Sequence, residues 1–547
     1  MKVKKKNVLF LLIDACEYSM FESDALTKLI VPNIHSLINK GYVRPIHSNG
    51  MITQIAMPSI LTQTYPFDNG GFDYGIRDRE KSVVEILKEN GYHTHFVYSH
   101  DLTGPQRCYE RGFDVLRGLY NHSRIIETYV RLILQSKIKL VEEKLLMKKE
   151  VLEYTSKHFD KVLRHAEWPG DSINSFLLPK CLCVPSRKKS LLIRAERELL
   201  KKDPSAIYEK LKILPYNMYE RYLGQDIRII EKKRFKRSVK NLTKKINLRN
   251  KINLIVRRLF KEGFFLIPNI ITAVASEILK SAFDIIKNTK NPWFLMIHLF
   301  DVHDGGKTSR HINFLNKLKY MPRLLKIRKQ FQSHREPWKD LSLIYVDAQI
   351  GKFIKKLKKK NMLQDTLIVV ASDHGGGWDY NRGHIGMMSF GFRTYYERIK
   401  VPFIISPTKR IPVDKGLYDS MSISATLLDE LGIEPHSSFK GCSLYENGKT
   451  AAIVENVGRG NCDLSNRNMY FTITTTTHKL MLSVEDKILK PERLFDIKKD
   501  PKEYKDLISF KTSKEIVVKL IDELYKYRGE ILKKLDVKWQ PKEWMEN

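Results

Sequence analysis

Acidic and histidine side chains directly follow three separate apolar runs of the sequence. These side chains are Asp14 after the first run, Asp301 and His303 after the second, and Asp373 and His374 after the third. Carboxylate oxygens and imidazole nitrogens are common ligands of divalent cations. If the fold brings the three groups together, they form a divalent-metal site.

Each group on its own has a simpler interpretation. A single Asp after a strand is typical of a helix cap, and a single His is typical of a hydrogen-bonded surface residue. The coincidence of all three groups favours the metal site instead. The glycine run 375–377 adds support, because glycine has no Cβ and lets the backbone approach a ligand closely.

The segments that must position these residues alternate between strands and helices. The apolar runs predict strands at 8–13, 94–98, 293–299, 366–371 and 401–405, and the segments between them predict helices at 32–39, 81–90, 343–359 and 422–431. This alternation is typical of a mainly parallel sheet flanked by helices. Ligands of such sheets bind at the carboxyl ends of the strands, which is where the candidate metal ligands lie.

The character of the sequence changes three times along the chain. We predict the first part of an α/β domain at 1–117, a basic helical insertion at 118–290, the second part of the α/β domain at 291–440, and a small C-terminal α+β subdomain at 441–547. Within the insertion, helices are predicted at 137–150, 231–251 and 253–261. Within the C-terminal subdomain, short strands are predicted at 470–477 and 479–483 and a charged helix at 514–534.

The chain has 547 residues, a formal net charge of +34 and 42% hydrophobic residues. That hydrophobic share excludes a disordered chain and allows a large core. No run approaches the roughly 18 apolar residues that a membrane-spanning helix needs. The basic start followed by 8–13 imitates a signal peptide, but the run is short and ends at Asp14, so it predicts a buried strand. Six cysteines in so long a chain form no disulfide framework, and we expect a cytoplasmic protein, either free or peripheral to a membrane.

Eight short motifs occur in a characteristic order along the chain. They are Ile13-Asp14, Pro32-Asn33-Ile34, the segment 61–66, Gly112-Phe113-Asp114, the segment 347–351, Ser372-Asp373-His374-Gly375, and the segments 401–405 and 494–507. Each motif is weak alone, but the ordered set resembles sulfatases and their relatives in the alkaline phosphatase superfamily. The resemblance covers the two parts that flank the basic insertion. It implies an alkaline-phosphatase-like α/β fold and a metal-dependent hydrolase or transferase acting on a phosphate or sulfate ester.

The sulfatase pattern also implies a nucleophile. In that pattern the nucleophile precedes the Pro of a Leu-Thr-x-x-Tyr-Pro-like ending by 13 positions, and counting back from Pro66 leads to Thr53. Thr53 follows the segment 48–50 and precedes an apolar helical stretch, so it lies near a helix N-terminus, where an anionic ester is stabilised. The simpler interpretation is that Thr53 only caps this helix.

Two other candidates for the nucleophile fit less well. Met57-Pro58-Ser59 is out of register, because it places Ala56 at the catalytic position. The sequence Cys183-Val-Pro-Ser-Arg187 matches the sulfatase motif literally, and in that family the Cys matures to formylglycine. It lies in the basic insertion, far from the first strand, so a loop thiol is the favoured interpretation.

The resemblance implies a role for each candidate residue. Asp14, Thr53, Asp373 and His374 are the implied metal ligands, and Thr53 also forms the covalent ester intermediate. His303 and His384 are the implied catalytic histidines, which protonate the leaving group or contact the ester. Asp301 and Lys479 are the candidates for substrate binding. A plain surface role stays open for His303, His384 and Lys479, and His298, inside an apolar strand, is predicted to be structural.

The chain also departs from the sulfatase pattern. Ala15 stands where many sulfatases have a second Asp, and Ser99-His100-Asp101 replaces a Gly-Lys-Trp-His clamp on sulfate. One acidic residue at the first strand, a Thr nucleophile and an Asp-His pair resemble more closely the single-metal phosphoglycerol- and phosphoethanolamine-transferase branch. We expect one divalent cation, with a second left open, and the mixed oxygen and nitrogen ligands allow Mn²⁺, Mg²⁺, Ca²⁺ or Zn²⁺.

The basic insertion concentrates positive charge in short runs, at 187–189, 201–202, 232–237 and 244–245. Such a surface attracts an anionic ester substrate, as on a glycan or a lipid-linked headgroup, or an anionic membrane surface. A solvated helical face explains the same charge without a partner. The alternative function is therefore a catalytically silent relative that binds a polyanion or an anionic membrane surface. Nucleic acid is disfavoured, because no known nucleic-acid-binding module accompanies the charge.

Overall fold

The fold was determined as a computed structural model of the chain. It describes residues 5–71, 75–100, 103–104, 107–119, 126, 129–142, 144, 146–167, 187–213, 273–303, 314–331, 337–376, 378–379, 383–384, 394–457 and 469–546. The predicted helices at 231–251 and 253–261 and the basic runs at 232–237 and 244–245 lie outside these residues. Within the described ranges, no helix combines the length and the apolar character that crossing a bilayer requires.

The described strands form three sheets. In chain order the strands are β1 (Asn7–Ile13), β2 (Tyr42–His47), β3 (His93–Tyr98), β4 (Val115–Gly118), β5 (Trp293–Leu299), β6 (Thr366–Ala371), β7 (Trp378–Asp379), β8 (Gly383–His384), β9 (Lys400–Ser406), β10 (Ala452–Val457), β11 (Met469–Thr474), β12 (His478–Glu485) and β13 (Ile488–Asp496). The predicted strands at 293–299 and 366–371 have the observed bounds.

The central seven-stranded sheet has the order β2-β9-β6-β1-β5-β3-β4. Neighbouring strands are parallel except at β9, which runs antiparallel to both β6 and β2. The predicted mainly parallel sheet is confirmed. Strand β1 lies between β5 and β6, so the three strands that precede the candidate metal ligands are neighbours and their carboxyl ends open at the same edge.

Helices connect and cover the strands. In chain order they are α1 (Asp24–Ile30), α2 (Pro32–Ile38), α3 (Thr53–Thr62), α4 (Val83–Glu89), α5 (Gln135–Glu142), α6 (Lys148–Glu167), α7 (Arg187–Lys202), α8 (Pro204–Ile213), α9 (Ala275–Ile286), α10 (Phe314–Phe331), α11 (Pro337–Lys359), α12 (Tyr396–Ile399), α13 (Met421–Glu430), α14 (Lys514–Lys534) and α15 (Pro541–Glu546). Short 3₁₀ turns lie at Tyr18–Phe21, Asp68–Gly70 and Lys511–Ser513, and a π-helical turn at Val130–Leu134 precedes α5.

The central strand β1 is apolar on both of its faces, and helices cover both faces of the sheet. Every second residue of β1 from Val8 to Leu12 packs with α3 and α4. The residues between them pack with α2, α9 and α11. Burial on both faces explains why β1 is a continuous apolar run rather than an alternating one. The face that includes Leu12 is the one on which α3, the helix that begins at Thr53, packs.

Helices α5 to α8 form the described part of the basic insertion. Their apolar residues join the core on the side of α3 and α4. The single helix predicted at 137–150 is wrong, because α5 ends at Glu142 and α6 begins at Lys148. Between them Lys144 has a left-handed conformation, with φ of 59°, which a helix does not accommodate.

A four-stranded antiparallel sheet with the order β10-β11-β12-β13 and the helix α14 form the C-terminal part. The predicted short strands and terminal helix are confirmed. The apolar side of α14 packs on this sheet. Arg528 of α14 forms ion pairs with Glu455 of β10 and with Asp68. Since Asp68 lies in the segment that follows α3, these contacts tie the C-terminal part to the helix of Thr53.

Candidate active site and metal centre

Asp14 lies at the carboxyl end of the central strand β1. Its backbone N–H donates to the carbonyl of Leu299 at 2.9 Å, so the ladder between β1 and β5 holds this residue in place. Ala15 then adopts a left-handed conformation, with φ of 58°, and turns the chain away from the sheet. The side chain of Asp14 is fully buried, so water does not solvate its charge.

Thr53 is the first residue of α3, and its hydroxyl contacts Asp14. The N-cap residue of this helix is Ile52, whose side chain provides no cap. The Thr53 hydroxyl donates to Oδ2 of Asp14 at 3.1 Å and lies 3.4 Å from Nε2 of His374. A role limited to capping α3 does not account for these contacts. The helix start therefore brings a hydroxyl to the ends of β1 and β6.

Asp373 and His374 follow β6, next to β1. Nδ1 of His374 lies 2.8 Å from the carbonyl oxygen of Gly375. Because a carbonyl oxygen only accepts hydrogen bonds, Nδ1 donates this bond, and Nε2 is the ring nitrogen that faces the carboxylates. Nε2 lies 3.4 Å from Oδ1 of Asp14 and 3.7 Å from Oδ2 of Asp373, beyond normal hydrogen-bond lengths. Two carboxylate oxygens and one imidazole nitrogen thus face one another in a buried place, and these are ligand types of divalent cations.

Backbone and hydroxyl groups hold the Asp373-His374 pair in position. Oδ1 of Asp373 accepts from the N–H of His374 at 2.9 Å and from the N–H of Ala15 at 3.4 Å. The hydroxyl of Ser372 accepts from the N–H of Cys16 at 2.9 Å and donates to the carbonyl of His374 at 2.8 Å. Ser372 thereby joins the chain after β1 to the chain after β6. Such supporting contacts orient metal ligands before an ion binds.

The loop after His374 packs directly on the backbone of α12. The N–H of Gly375 donates to the carbonyl of Arg398 at 2.7 Å. A Cβ atom on Gly375 would lie only 2.0 Å from the carbonyl oxygen of Glu397. The sequence predicts that this glycine allows a close backbone approach to a ligand, whereas at Gly375 the close neighbour is the backbone of the chain itself.

His303 lies beside the cluster, at the carboxyl end of β5. Its ring stacks on that of Phe300, with 4.4 Å between the ring centroids, and lies 6.0 Å from the ring of His374. Ligand atoms of Asp14, His303 and His374 lie within 4.8 Å of one another. The structure therefore brings this predicted catalytic histidine to the predicted metal ligands.

His298 is the residue of the cluster that the sequence did not identify. It is fully buried, and its Nε2 lies 3.2 Å from Oδ2 of Asp14. The sequence predicts a structural role for His298, and its place beside Asp14 also makes it a candidate ligand. Strand alternation is the signal that could have found it: His298 pairs with Leu12 of β1, and Asp14 lies two residues further along the same face.

The electrostatic surroundings keep Asp14 ionised. Burial raises the pKa of Asp14, because desolvation disfavours a carboxylate. The imidazoles of His303, His298 and His374 outweigh this effect and hold the pKa of Asp14 well below its usual range. Asp14 is therefore anionic at neutral pH and offers a full negative charge to a cation.

The ligand atoms fit a divalent cation. Beside the group with His303 and His374, Asp14 belongs to a second group with His298 and Asp373, whose ligand atoms also lie within 4.8 Å of one another. Oδ1 of Asp14 and Oδ2 of Asp373 are buried and form no hydrogen bond in the described part of the chain. Buried carboxylate oxygens without a partner are costly, and a cation between them removes that cost.

The remaining predicted residues have other surroundings. Oδ1 of Asp301 accepts from the N–H of Ala275, the first residue of α9, so this carboxylate stabilises a helix N-terminus. Lys479 forms a buried ion pair with Glu503, at 2.7 Å. The backbone of His384 pairs with β7, and its side chain lies outside the described residues. Substrate binding by Asp301 and Lys479 and catalysis by His384 stay predictions.

In the described ranges, neither of the two other candidate nucleophile motifs lies beside Asp14 as Thr53 does. Ala56 and Ser59 are buried within α3, about one and two helical turns after Thr53. Cys183 lies outside the described residues. Within the described residues, Cys16, Cys108 and Cys442 form no disulfide.

Comparison with known proteins finds similarity to sulfatases. The family model named Sulfatase matches residues 247–433. An arylsulfatase of Clostridium perfringens is 28% identical over 182 residues, which cover 32% of this chain and 36% of the relative. An endo-4-O-sulfatase of Bacteroides thetaiotaomicron is 27% identical over 285 residues, which cover 46% of this chain and 54% of the relative. These matches therefore span only about a third and about half of the lengths of the two curated relatives.

A solved structure has the same fold over its whole length. The phosphonate monoester hydrolase of Agrobacterium radiobacter superimposes with a TM-score of 0.54 at 14% identity, covering 96% of each chain. The sheet order and the ligand cluster at the ends of its middle strands thus define an alkaline-phosphatase-like α/β protein. The family-model match makes residues 247–433 similar to sulfatases, and the fold of the chain is similar to that of the phosphonate monoester hydrolase. Asp14 and Thr53 lie outside the matched segment, and the fold brings them to Asp373 and His374 inside it.

Proposed function

We propose that this chain is a metal-dependent enzyme that cleaves a phosphate or sulfate ester through a covalent intermediate on Thr53. The Sulfatase family model and the two curated relatives support ester hydrolysis as the class of reaction. The observation that carries the proposal is the contact of the Thr53 hydroxyl with Oδ2 of Asp14, at 3.1 Å, beside Nε2 of His374. It joins a potential nucleophile at a helix N-terminus to two candidate metal ligands.

Asp14, Thr53, Asp373 and His374 are the residues that would hold the cation. A bound divalent cation lowers the pKa of a coordinated hydroxyl and polarises the ester. The two carboxylates would neutralise the charge of the ion, and the hydrogen bond of Nδ1 of His374 to the carbonyl of Gly375 would leave Nε2 to serve as a ligand. Because α3 begins at Thr53, the positive end of its helix dipole would favour the negative oxygens of the ester.

Thr53 performs the first covalent step in this proposal. Its Oγ1 attacks the phosphorus or sulfur atom, and the bond from that atom to the alcohol oxygen breaks as the new bond to Oγ1 forms. Thr53 loses one proton and the departing alcohol oxygen gains one, so the step consumes no net proton. We assign the donation of that proton to His303, whose ring lies 6.0 Å from that of His374, and His384 is the second candidate.

Water or an acceptor hydroxyl completes the reaction. Its oxygen attacks the same phosphorus or sulfur atom, the bond to Oγ1 breaks, and Thr53 regains a proton from the attacking group. Water yields inorganic phosphate or sulfate, whereas an acceptor hydroxyl yields a transferred ester. Hydrolysis and transfer use the same residues of this chain, and analysis of the products distinguishes them.

The substrate is proposed to be an anionic ester on a glycan or a lipid-linked headgroup. The names of the curated relatives favour a sulfate ester. Ala15 and Ser99-His100-Asp101 depart from the sulfatase pattern and favour a phosphate ester. The net charge of +34 favours an anionic substrate of either kind, because it raises the local concentration of anions.

A catalytically silent protein is not the favoured function. The hydroxyl of Thr53 and its candidate ligands are all present at the ends of the middle strands. In the described part of the basic insertion, Lys210 pairs with Glu196 at 2.6 Å and Arg197 pairs with Asp160 at 2.9 Å. Part of the positive charge that would attract a polyanion is therefore neutralised within the insertion.

Substitution of Thr53 tests the proposal. Thr53→Val removes the hydroxyl at nearly constant volume, and Thr53→Ser is the matched control that keeps it. Aryl phosphates, phosphodiesters and sulfates are assayed with Mn²⁺, with Zn²⁺ and with a chelator. We expect metal-dependent turnover of at least one ester by the wild type and by Thr53→Ser, and a loss of at least about 10³-fold in Thr53→Val. Equal rates for the wild type and Thr53→Val on every ester that is turned over would refute the nucleophile.

A further inference from the structure

We propose that His298 is a further ligand of the cation in this site and that it makes the site prefer Zn²⁺ over Ca²⁺ and Mg²⁺. The inference rests on the proposed function, because it assumes the same metal site. It goes beyond the ligand set predicted from the sequence, which consists of Asp14, Thr53, Asp373 and His374.

His298 is fully buried in the central sheet. Its side chain lies within β5 and is 0% exposed. In the part of the chain that the structure describes, neither Nδ1 nor Nε2 of this ring has a hydrogen-bond partner. Buried polar groups in native proteins are almost always paired, because an unpaired group bears the whole cost of desolvation. A cation at the site gives one of these nitrogens the partner that the described residues do not provide.

The register of the strands directs His298 toward the site. His298 pairs with Leu12 of β1, so it shares a face of the sheet with Asp14, two residues beyond Leu12. Its Nε2 lies 3.2 Å from Oδ2 of Asp14, but this contact lacks the alignment of a hydrogen bond. Ligand atoms of Asp14, His298 and Asp373 lie within 4.8 Å of one another, a separation that one ion can span.

A second imidazole changes the cation that the site selects. Added to the ligands proposed above, His298 makes the donors two carboxylates, two imidazoles and one hydroxyl. Ca²⁺ and Mg²⁺ are bound by oxygen, whereas imidazole nitrogen suits Zn²⁺. Ala15, directly after Asp14, offers no additional carboxylate that would shift the balance back toward oxygen.

The competing explanation is that His298 is a protonated counter-ion of Asp14. The 3.2 Å distance fits an ion pair as well as two ligands of one ion. The two explanations predict opposite effects of removing the imidazole. Loss of a positive counter-ion strengthens the binding of every divalent cation, because less positive charge opposes it. Loss of a nitrogen ligand weakens the binding of Zn²⁺ and has little effect on Ca²⁺.

Metal affinities of the full chain distinguish these explanations. Zn²⁺, Ca²⁺ and Mg²⁺ are titrated into metal-free wild type, His298→Gln and His95→Gln by calorimetry with competing chelators. His95 is the matched control, because it is buried on β3, has no hydrogen bond to its ring nitrogens within the described residues, and belongs to neither ligand group. Thermal melting of each variant checks that it is folded.

We expect the wild type to bind Zn²⁺ at least about 10³-fold more tightly than Ca²⁺. His298→Gln should lower the affinity for Zn²⁺ at least about 10-fold and leave the affinity for Ca²⁺ within about threefold. His95→Gln should change neither. An unchanged affinity for Zn²⁺ in His298→Gln, or a rise for all three cations, overturns the inference.

Two outcomes separate this inference from the proposed function. A wild type that binds no divalent cation overturns the proposed metal site as a whole. A wild type that binds Zn²⁺ tightly and independently of His298 overturns only the inference. If His298→Gln does not fold, the crystal structure of the Zn²⁺-loaded wild type decides: a bond of about 2.0–2.1 Å from a ring nitrogen of His298 to the ion supports the inference, and a ring without such a bond contradicts it.

Discussion

Replacing Arg528 with Met should destabilise the junction between the C-terminal part and the helix of Thr53. The guanidinium of Arg528 is buried, with Nη1 2.9 Å from Oδ1 of Asp68 and Nε 2.5 Å from Oε1 of Glu455. Oε2 of Glu455 accepts from the N–H of Phe67 at 2.7 Å, in the segment that follows α3. A single cation on α14 thus holds two acidic residues that organise this segment.

The magnitude follows from the burial of the acidic partners. Met retains the length and apolar stem of Arg528 but removes its charge. Breaking a buried ion pair by removing one partner costs about 3–5 kcal/mol of the free energy of unfolding. Asp68 is 11% exposed and keeps a second cation, Lys440 at 2.7 Å, whereas Glu455 is 0% exposed. Most of the cost therefore falls on Glu455, and we expect a loss of about 3 kcal/mol, at the lower end of that range.

Urea unfolding, followed by circular dichroism, measures this loss. The matched control is Lys526→Met on the same helix, because Lys526 is 72% exposed and forms an exposed pair with Glu523. The control should change the free energy of unfolding by no more than about 0.5 kcal/mol. A loss below about 1 kcal/mol for Arg528→Met, or equal losses in the two variants, would show that the buried pairs do not hold the junction.

The same variant has a predicted pH dependence. Burial raises the pKa of Glu455, Arg528 lowers it and Asp68 raises it, with a net rise. A raised pKa in the folded state means that the folded state binds the proton more tightly, so this contribution to stability is present at low pH and is lost as pH rises through the folded-state pKa. Without Arg528 the pKa rises further. The destabilisation of Arg528→Met should therefore shrink as pH falls from 7 toward 5, and a constant penalty contradicts this reasoning.

Two further predictions concern the site. Gly375→Ala should abolish binding of divalent cations in calorimetry, because the new Cβ would lie 2.0 Å from the carbonyl oxygen of Glu397. The control Gly529→Ala should bind cations as the wild type does, because its new Cβ would lie 3.7 Å from the ring of Tyr525. Intact binding in Gly375→Ala would count against the proposed loop geometry. His303→Gln should slow the cleavage of esters with poor leaving groups about 10²- to 10⁴-fold and that of esters with good leaving groups much less, because only poor leaving groups need a proton. Rates measured across a series of leaving groups test this prediction. An equal loss of rate for all of them argues against proton donation by His303.

The elements that bear the site follow from local sequence patterns. The apolar runs at 8–13, 293–299 and 366–371 predict β1, β5 and β6 to within a residue, because strands buried on both faces are continuous apolar segments. Their parallel arrangement follows from the alternation with helices. The position of Thr53 at the start of α3 came from the spacing in the sulfatase pattern and from the apolar helical stretch that follows it.

The partners of individual side chains could not be predicted in this way. Lys479 meets Glu503 and Asp301 meets the N–H of Ala275 only because tertiary packing brings distant segments together. His298 lies in an apolar run that indicates a buried strand, and only the register of β5 on β1 shows that it faces Asp14. The break between α5 and α6 depends on the backbone conformation of one lysine, which residue type alone does not reveal.

A crystal structure of the chain with bound Zn²⁺ or Mn²⁺ tests the central claim most directly. The account predicts one ion, located by its anomalous scattering, at about 2.0–2.2 Å from oxygens of Asp14 and Asp373 and from Nε2 of His374, with Oγ1 of Thr53 directed at it. An ion bound elsewhere in the molecule, or a Thr53 hydroxyl out of reach of an ion that those three residues hold, would contradict it.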